Sequence, residues 1–227
     1  MTKETSTLSK SALFFELDSV ALGARRIRCE VLAGILREQG VELDEITFAK
    51  HALHLDASLS FLPAFLESLG YAGSADQVLQ RLLGETTSRL MQKDAGVNPA
   101  LVPWLDAARA RNATVCAVSL LPTADEIAKH VGLERWNASL FVPAAIDKPY
   151  PHADYWLRAV KSIGKIPLNC LAIVSSAESA KVALSVGMNV VAVPDSFTSF
   201  QDFSGVNYLC NSLSDLKPDR VFDELKL

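Results

Sequence analysis

The sequence predicts an α/β protein: a doubly wound parallel-sheet core with a helical cap inserted after its first strand. Three observations point there. Five short segments, 12–17, 114–118, 170–174, 189–193 and 206–210, are apolar almost throughout, as strands buried on both faces are. Helix-like stretches alternate with the later ones through short connections, the pattern of a sheet wound on both sides. From about residue 25 to residue 92 only helical periods recur, with no convincing strand.

The helical signals have specific stops. In 99–111, Leu101, Val102, Leu105 and Ala108 recur at helical spacing. The stretches 125–131, 153–163 and 178–186 each run out just before a glycine, Gly132, Gly164 and Gly187, the residue that most readily adopts the left-handed turn closing a helix. Within the inserted block, Ile27, Val31, Ile35 and Leu36 form one apolar stripe. Leu59, Leu62, Leu66 and Leu69 form a second, and Val78, Leu79, Leu82, Leu83 and Leu90 a third. The expected division is therefore a core of 1–24 and 93–227 and a helical cap of 25–92, packed as its own small bundle.

Composition narrows the function classes. The chain has 227 residues, of which 49% are hydrophobic and 21% charged, so it has the apolar surface to fold. Twenty-two Lys and Arg against 26 Asp and Glu give a net charge of −4, which disfavours a nucleic-acid partner, because such binding rests on cationic side chains. No apolar run is long enough to cross a bilayer, so no membrane partner is expected. Residues 1–11 are polar, with Lys3, Glu4 and Lys10, and lack the apolar centre of a secretory signal. Cys29, Cys116, Cys170 and Cys210 are widely spaced and form no CxxC pair; buried thiols in a cytoplasmic protein are the expectation.

In an open parallel sheet, ligands bind beyond the carboxyl ends of the strands. Four loops qualify: Glu16 to Val20, Ser119 to Leu121, Lys148-Pro149, and Val174 to Ser176. The sheet is expected to bring them together.

These segments carry a family resemblance. The chain resembles the haloacid dehalogenase (HAD) superfamily, in its β-phosphoglucomutase-like and phosphoglycolate-phosphatase-like branch. The resemblance runs from Ala12 to about Leu216. It rests on Phe15-x-x-Asp18-x-Val20, the run Lys148-Pro149-Tyr150-Pro151, the stretch from Cys170 to Gly187-Met188, and the following strand with Thr198 in the loop after it. It implies a HAD-like core, a cap after the first motif, and phosphoryl transfer on a magnesium-bound acidic site.

Measured against that family, the chemistry is altered. The family's nucleophilic aspartate is replaced by Glu16, while the second acid, Asp18, is kept and is followed by Ser19 in place of the usual glycine. One extra methylene displaces the attacking carboxylate at a site where about 1 Å of misplacement can cost about a hundredfold. The acidic pair expected after the 170–174 strand is Val174-Ser175, which takes two carboxylates out of the magnesium cage. Ser175 is thus a degenerate metal position. Glu178 lies too far along the next helix to stand in for it and is expected to face solvent. By the same resemblance, Ser119, Leu120 and Lys148 hold phosphate, and His152 and Asp154 sit in a lengthened loop beside the lysine.

Two functions follow. The first is a HAD-like protein with a degenerate site, without efficient phosphatase activity and without a metal cofactor, that binds a small anionic or phosphorylated ligand through Ser119, Leu120 and Lys148 or acts as a regulator. The alternative is a phosphatase or phosphomutase using Glu16 as nucleophile, Asp18 as acid and base, and Mg2+. Plainer readings compete at each residue. Glu16 is a surface-loop carboxylate, Asp18 a turn-former accepting backbone N–H bonds, and Ser119 and Lys148 partners of Glu16. His51 and His54, with Asp56, are polar positions of an amphipathic helix before they are metal ligands. Trp104, Trp136 and Trp156 are packing residues.

Overall fold

The computed structural model describes residues 10–51, 62–92, 96–143 and 152–227. Its centre is a parallel sheet. The strands are β1 (Ala12–Glu16), β2 (Thr114–Val118), β3 (Ser139–Phe141), β4 (Cys170–Val174), β5 (Asn189–Ala192) and β6 (Tyr208–Leu209), in the order β3-β2-β1-β4-β5-β6. Every neighbouring pair is parallel, and Glu16 lies opposite Val118 of β2 while Phe15 lies opposite Ile173 of β4. β1 therefore sits centrally, with strand order reversing around it, the place where a doubly wound sheet opens a crevice.

The expected core strands 114–118 and 170–174 occur with those bounds, because apolar residues on both faces leave no alternative but a covered strand. Along β1, Leu13 and Phe15 face one layer with Trp104 and Phe222. Ala12 and Phe14 face the other with Trp156, whose ring meets Phe14 edge-on at 6.3 Å. All three tryptophans are buried, as the packing reading requires. Strand β3 was not expected: three residues, none of them buried, carry too little apolar signal. β6 is shorter than the 206–210 segment that predicts it.

The helices outside the block are α5 (Val102–Ala110), α6 (Ala124–His130), α7 (Ala153–Ser162), α8 (Ala177–Ser185) and α9 (Pro218–Glu224), which follow α1 (Ala24–Arg37), α2 (Glu45–His51), α3 (Leu62–Ser68) and α4 (Ala75–Leu90). Helices α6, α7 and α8 each end two residues before the glycine expected to stop them. Gly132, Gly164 and Gly187 have φ of 71°, 65° and 89°, angles that a side chain would strain.

Between β1 and β2 the described residues form only helix and loop. The block has its own apolar cluster, with Leu32, Leu36, Phe48, Leu62, Leu66 and Leu82. Of the three predicted stripes, Val31, Ile35, Leu36, Leu62, Leu66, Val78, Leu82 and Leu90 are buried. Leu59 lies outside the described residues. The four cysteines are free and buried, and loss of solvation pushes the Cys116 and Cys170 thiols up to about 12, so they pack as small apolar groups. No helix among the described residues is long and apolar enough to cross a membrane.

Candidate active site

Three of the four expected loops meet beyond the carboxyl end of β1. The fourth, with Lys148 and Pro149, lies outside the described residues, as do His54 and Asp56. Strand β1 ends at Glu16 and the chain then enters a π-helical turn, Leu17–Ala21. This turn sends the side chains of Glu16 and Asp18 to different neighbours.

Glu16 is not the surface-loop carboxylate of the plainer reading. It is only 5% exposed, and both of its oxygens are taken. Oε2 accepts from the Ser19 hydroxyl at 2.7 Å, from the Ser175 hydroxyl at 2.7 Å and from the Ser175 N–H at 3.0 Å. Oε1 accepts from the Ser179 hydroxyl at 2.5 Å. The Ser19 and Ser175 hydroxyl oxygens are themselves 2.8 Å apart, which closes the cage. Ser175 directly follows β4, and Ser179 lies in the first turn of α8, whose amino terminus Ser176 caps by accepting from the Ser179 N–H. The carboxylate thus lies where a helix amino terminus favours negative charge. The extra methylene of glutamate lets it reach α8.

Charge and solvation compete at this carboxylate. Burial pushes the Glu16 carboxyl up, but the Arg25 guanidinium and the hydroxyls of Ser179, Ser19 and Ser175 together outweigh it and hold the carboxyl below the ordinary glutamate value. Arg25, on the first turn of α1, is itself 4% exposed and ion-paired with Asp195 at 2.6 Å. Ser179, Arg25 and Asp195 were not among the expected site residues. Hydroxyls at 175, 176 and 179, just past a strand, were the available signal.

Asp18 turns the other way. Its Oδ1 accepts from the Ser119 hydroxyl at 2.7 Å, and its Oδ2 lies 3.4 Å from the Leu120 N–H. Asp18 thus binds the loop after β2, a cross-loop role beyond the turn-forming one expected of it. Ser119, expected to pair with Glu16 or an anion, gives its proton to Asp18 and accepts from the Leu121 N–H at 3.1 Å. Tyr155 of α7 donates to the Ser119 carbonyl at 3.4 Å. His152 caps α7, its Nδ1 accepting from the Asp154 N–H at 3.2 Å, and is not part of the cluster. His51 is exposed with its ring against Phe65, and Glu178 faces solvent as expected.

The magnesium ion that the resemblance implies does not fit the donors described. Magnesium takes near-octahedral oxygen ligands with free lone pairs, usually including carboxylates. Here Glu16 spends its oxygens on four donors, and position 175 supplies a hydroxyl whose proton points at Glu16. Among the described residues no group of three or more His, Cys, Asp or Glu side chains gathers.

No protein-family model matches the chain. A curated protein described as "Putative phosphatase YhcW", from Bacillus subtilis, is 23% identical over 217 residues, spanning 94% of this chain and 97% of its own. Among solved structures, the β-phosphoglucomutase pgmB from Clostridium difficile aligns with a TM-score of 0.78 at 16% identity, covering 96% of this chain and 98% of that one. A HAD hydrolase of family IA, variant 3, from Entamoeba histolytica gives 0.76 at 14% identity, covering 96% and 100%. The chain has the haloacid dehalogenase-like fold. CbbY from Rhodobacter sphaeroides, solved with phosphate bound, has this fold too, with a TM-score of 0.76 at 13% identity over 92% and 96% of the two chains. At such identities the likeness is one of HAD-like architecture, and the chemistry rests on the side chains described above.

Proposed function

We propose that this chain is a HAD-like protein that binds a small phosphorylated or otherwise anionic ligand and does not turn over phosphate esters efficiently. The observation that carries the proposal is the state of Glu16: both carboxylate oxygens accept from hydroxyl or N–H donors, three on Oε2 and one on Oε1, and the group is turned towards α8. A nucleophile needs a free lone pair aimed at the reacting atom. Glu16 would have to give up charge-assisted hydrogen bonds to turn away from α8 and aim one at a ligand. In this reading the carboxylate is a structural anion joining β1 to β4 and α8.

The ligand falls to the other side. Ser119, the Leu120 N–H and Lys148 form the anion-binding set, and the 25–92 block is its cap. Asp18 holds the first two donors when no ligand is present, so an incoming anion competes with Asp18, and Lys148 supplies the charge that tips the balance. Calorimetric titration of inorganic phosphate and of magnesium, each alone and together, tests this. Expected are phosphate heats indifferent to magnesium and lost in Lys148→Met, with no specific magnesium heat. Magnesium-dependent phosphate binding would overturn the proposal.

One observation favours the second reading, a phosphatase or phosphomutase using Glu16 and Mg2+: the curated relative is described as a phosphatase. That reading requires the serine cage to open during turnover, with Glu16→Gln abolishing activity.

A further inference from the structure

Two chain crossings join the sheet to the helical block, and they lie side by side. Asn98 donates its N–H to the Ala21 carbonyl at 2.8 Å and its side-chain amide to the Val20 carbonyl at 3.3 Å. Gly23, just before α1, has φ of 61°, so the first crossing bends at a residue without a side chain to clash. Beside the crossings is a cavity of about 480 Å³ walled by residues of both and by the loops after β5 and β6. Such a joint has room to bend.

A second connection opposes that bending. The loop after β5 reaches out of the core into the block. Asp195 pairs with buried Arg25, and its Oδ1 is fixed by the Phe197 N–H at 2.9 Å and the Thr198 hydroxyl at 3.1 Å. Phe197 is 2% exposed and belongs to the block's own apolar cluster, edge-on to Phe48 at 5.4 Å. Arg26 places its guanidinium 4.7 Å over the Phe197 ring and donates to the Ser196 hydroxyl at 2.9 Å. The loop is thus held by an ion pair, an inserted aromatic ring and a cation–π contact, all against the first turn of α1 and α2.

We propose that Arg25, Asp195 and Phe197 form a latch that fixes the helical block against the sheet, so that the two crossings beside the cavity bend only when this contact is broken. The latch does not depend on whether the site binds or hydrolyses its ligand, so it can fail while the function stands, and the reverse.

Hydrogen exchange followed by mass spectrometry on the full chain tests it, comparing wild type with Arg25→Lys, Phe197→Ala and the double variant Arg25→Met/Asp195→Leu. The double variant removes both charges of the ion pair, so neither partner is left buried and unpaired, and Glu16, which loses the Arg25 charge with it, keeps its hydroxyl and N–H donors. Expected is a rise of about tenfold or more in exchange across 20–28 and 96–101 in the double variant and in Phe197→Ala, with a smaller rise in Arg25→Lys, while β1, β2 and β4 stay protected. Unchanged exchange at both crossings in the double variant would overturn the latch, as would a rise that includes the three central strands to the same extent.

Discussion

Glu16 and Asp18 leave the same strand two residues apart and reach opposite surroundings. Glu16 lies in a serine-lined cage built by β4 and α8, with four donors on its two oxygens. Asp18 faces the loop after β2, with one short hydroxyl contact and one N–H at 3.4 Å. The first carboxylate is tied to β4 and α8; the second is placed where, under the proposed function, a ligand's oxygen competes for the Ser119 and Leu120 donors. Charge alone does not make a catalytic acid, because hydrogen bonds that tie a carboxylate to its neighbours also fix where it points.

That contrast predicts unequal costs of mutation. The largest belongs to Glu16→Ala, which leaves three hydroxyls and an N–H facing a void; denaturant unfolding should show a loss of about 3 to 5 kcal/mol. Glu16→Gln keeps the volume but not the charge, and should lose less. An equal loss in Asp18→Asn would break the comparison, since weakening its bonds to Ser119 and Leu120 predicts only about 1 kcal/mol.

Acid should report the same difference. The folded-state pKa of Glu16 lies below its ordinary value of 4.5, so its contribution to stability is complete above pH 4.5 and is lost as pH falls through the lower folded value. Melting temperature against pH should therefore drop steeply on the acid side in wild type and less steeply in Glu16→Gln. Parallel acid limbs would show that Glu16 is not held ionised.

Within the cage the donors can be ranked. Ser179 is the hydroxyl on Oε1, so Ser179→Ala should cost about 1 to 2 kcal/mol, whereas Ser19→Ala removes one of three donors to Oε2 and should cost under about 1 kcal/mol. The reverse ranking in urea melts would place the cage's main support on the wrong side.

The sheet was legible because both-face burial writes itself as continuous apolar runs: β2 and β4 follow from 114–118 and 170–174. The stops at Gly132, Gly164 and Gly187 were legible for the same local reason. β3 was not, since a three-residue strand with no buried residue is held by its neighbour β2 and not by its own composition. At the site, Glu16, Asp18, Ser119, Leu120 and Ser175 were found from position along the strands. Their pairing was not found: Ser175 and Ser179 are 159 and 163 residues from Glu16, and only the fold sets them on one carboxylate. Arg25 carried no signal of its own in the sequence, because nothing local marks the distant Asp195 as its partner.

The central claim is that Glu16 is a structural anion and not a phosphoryl acceptor. Hydrolysis of an aryl phosphate, measured with and without magnesium for wild type and Glu16→Gln at equal folded concentration, tests it most directly. The account predicts no magnesium-stimulated rate above the Glu16→Gln control. A magnesium-dependent rate that Glu16→Gln abolishes would contradict it and make Glu16 the nucleophile.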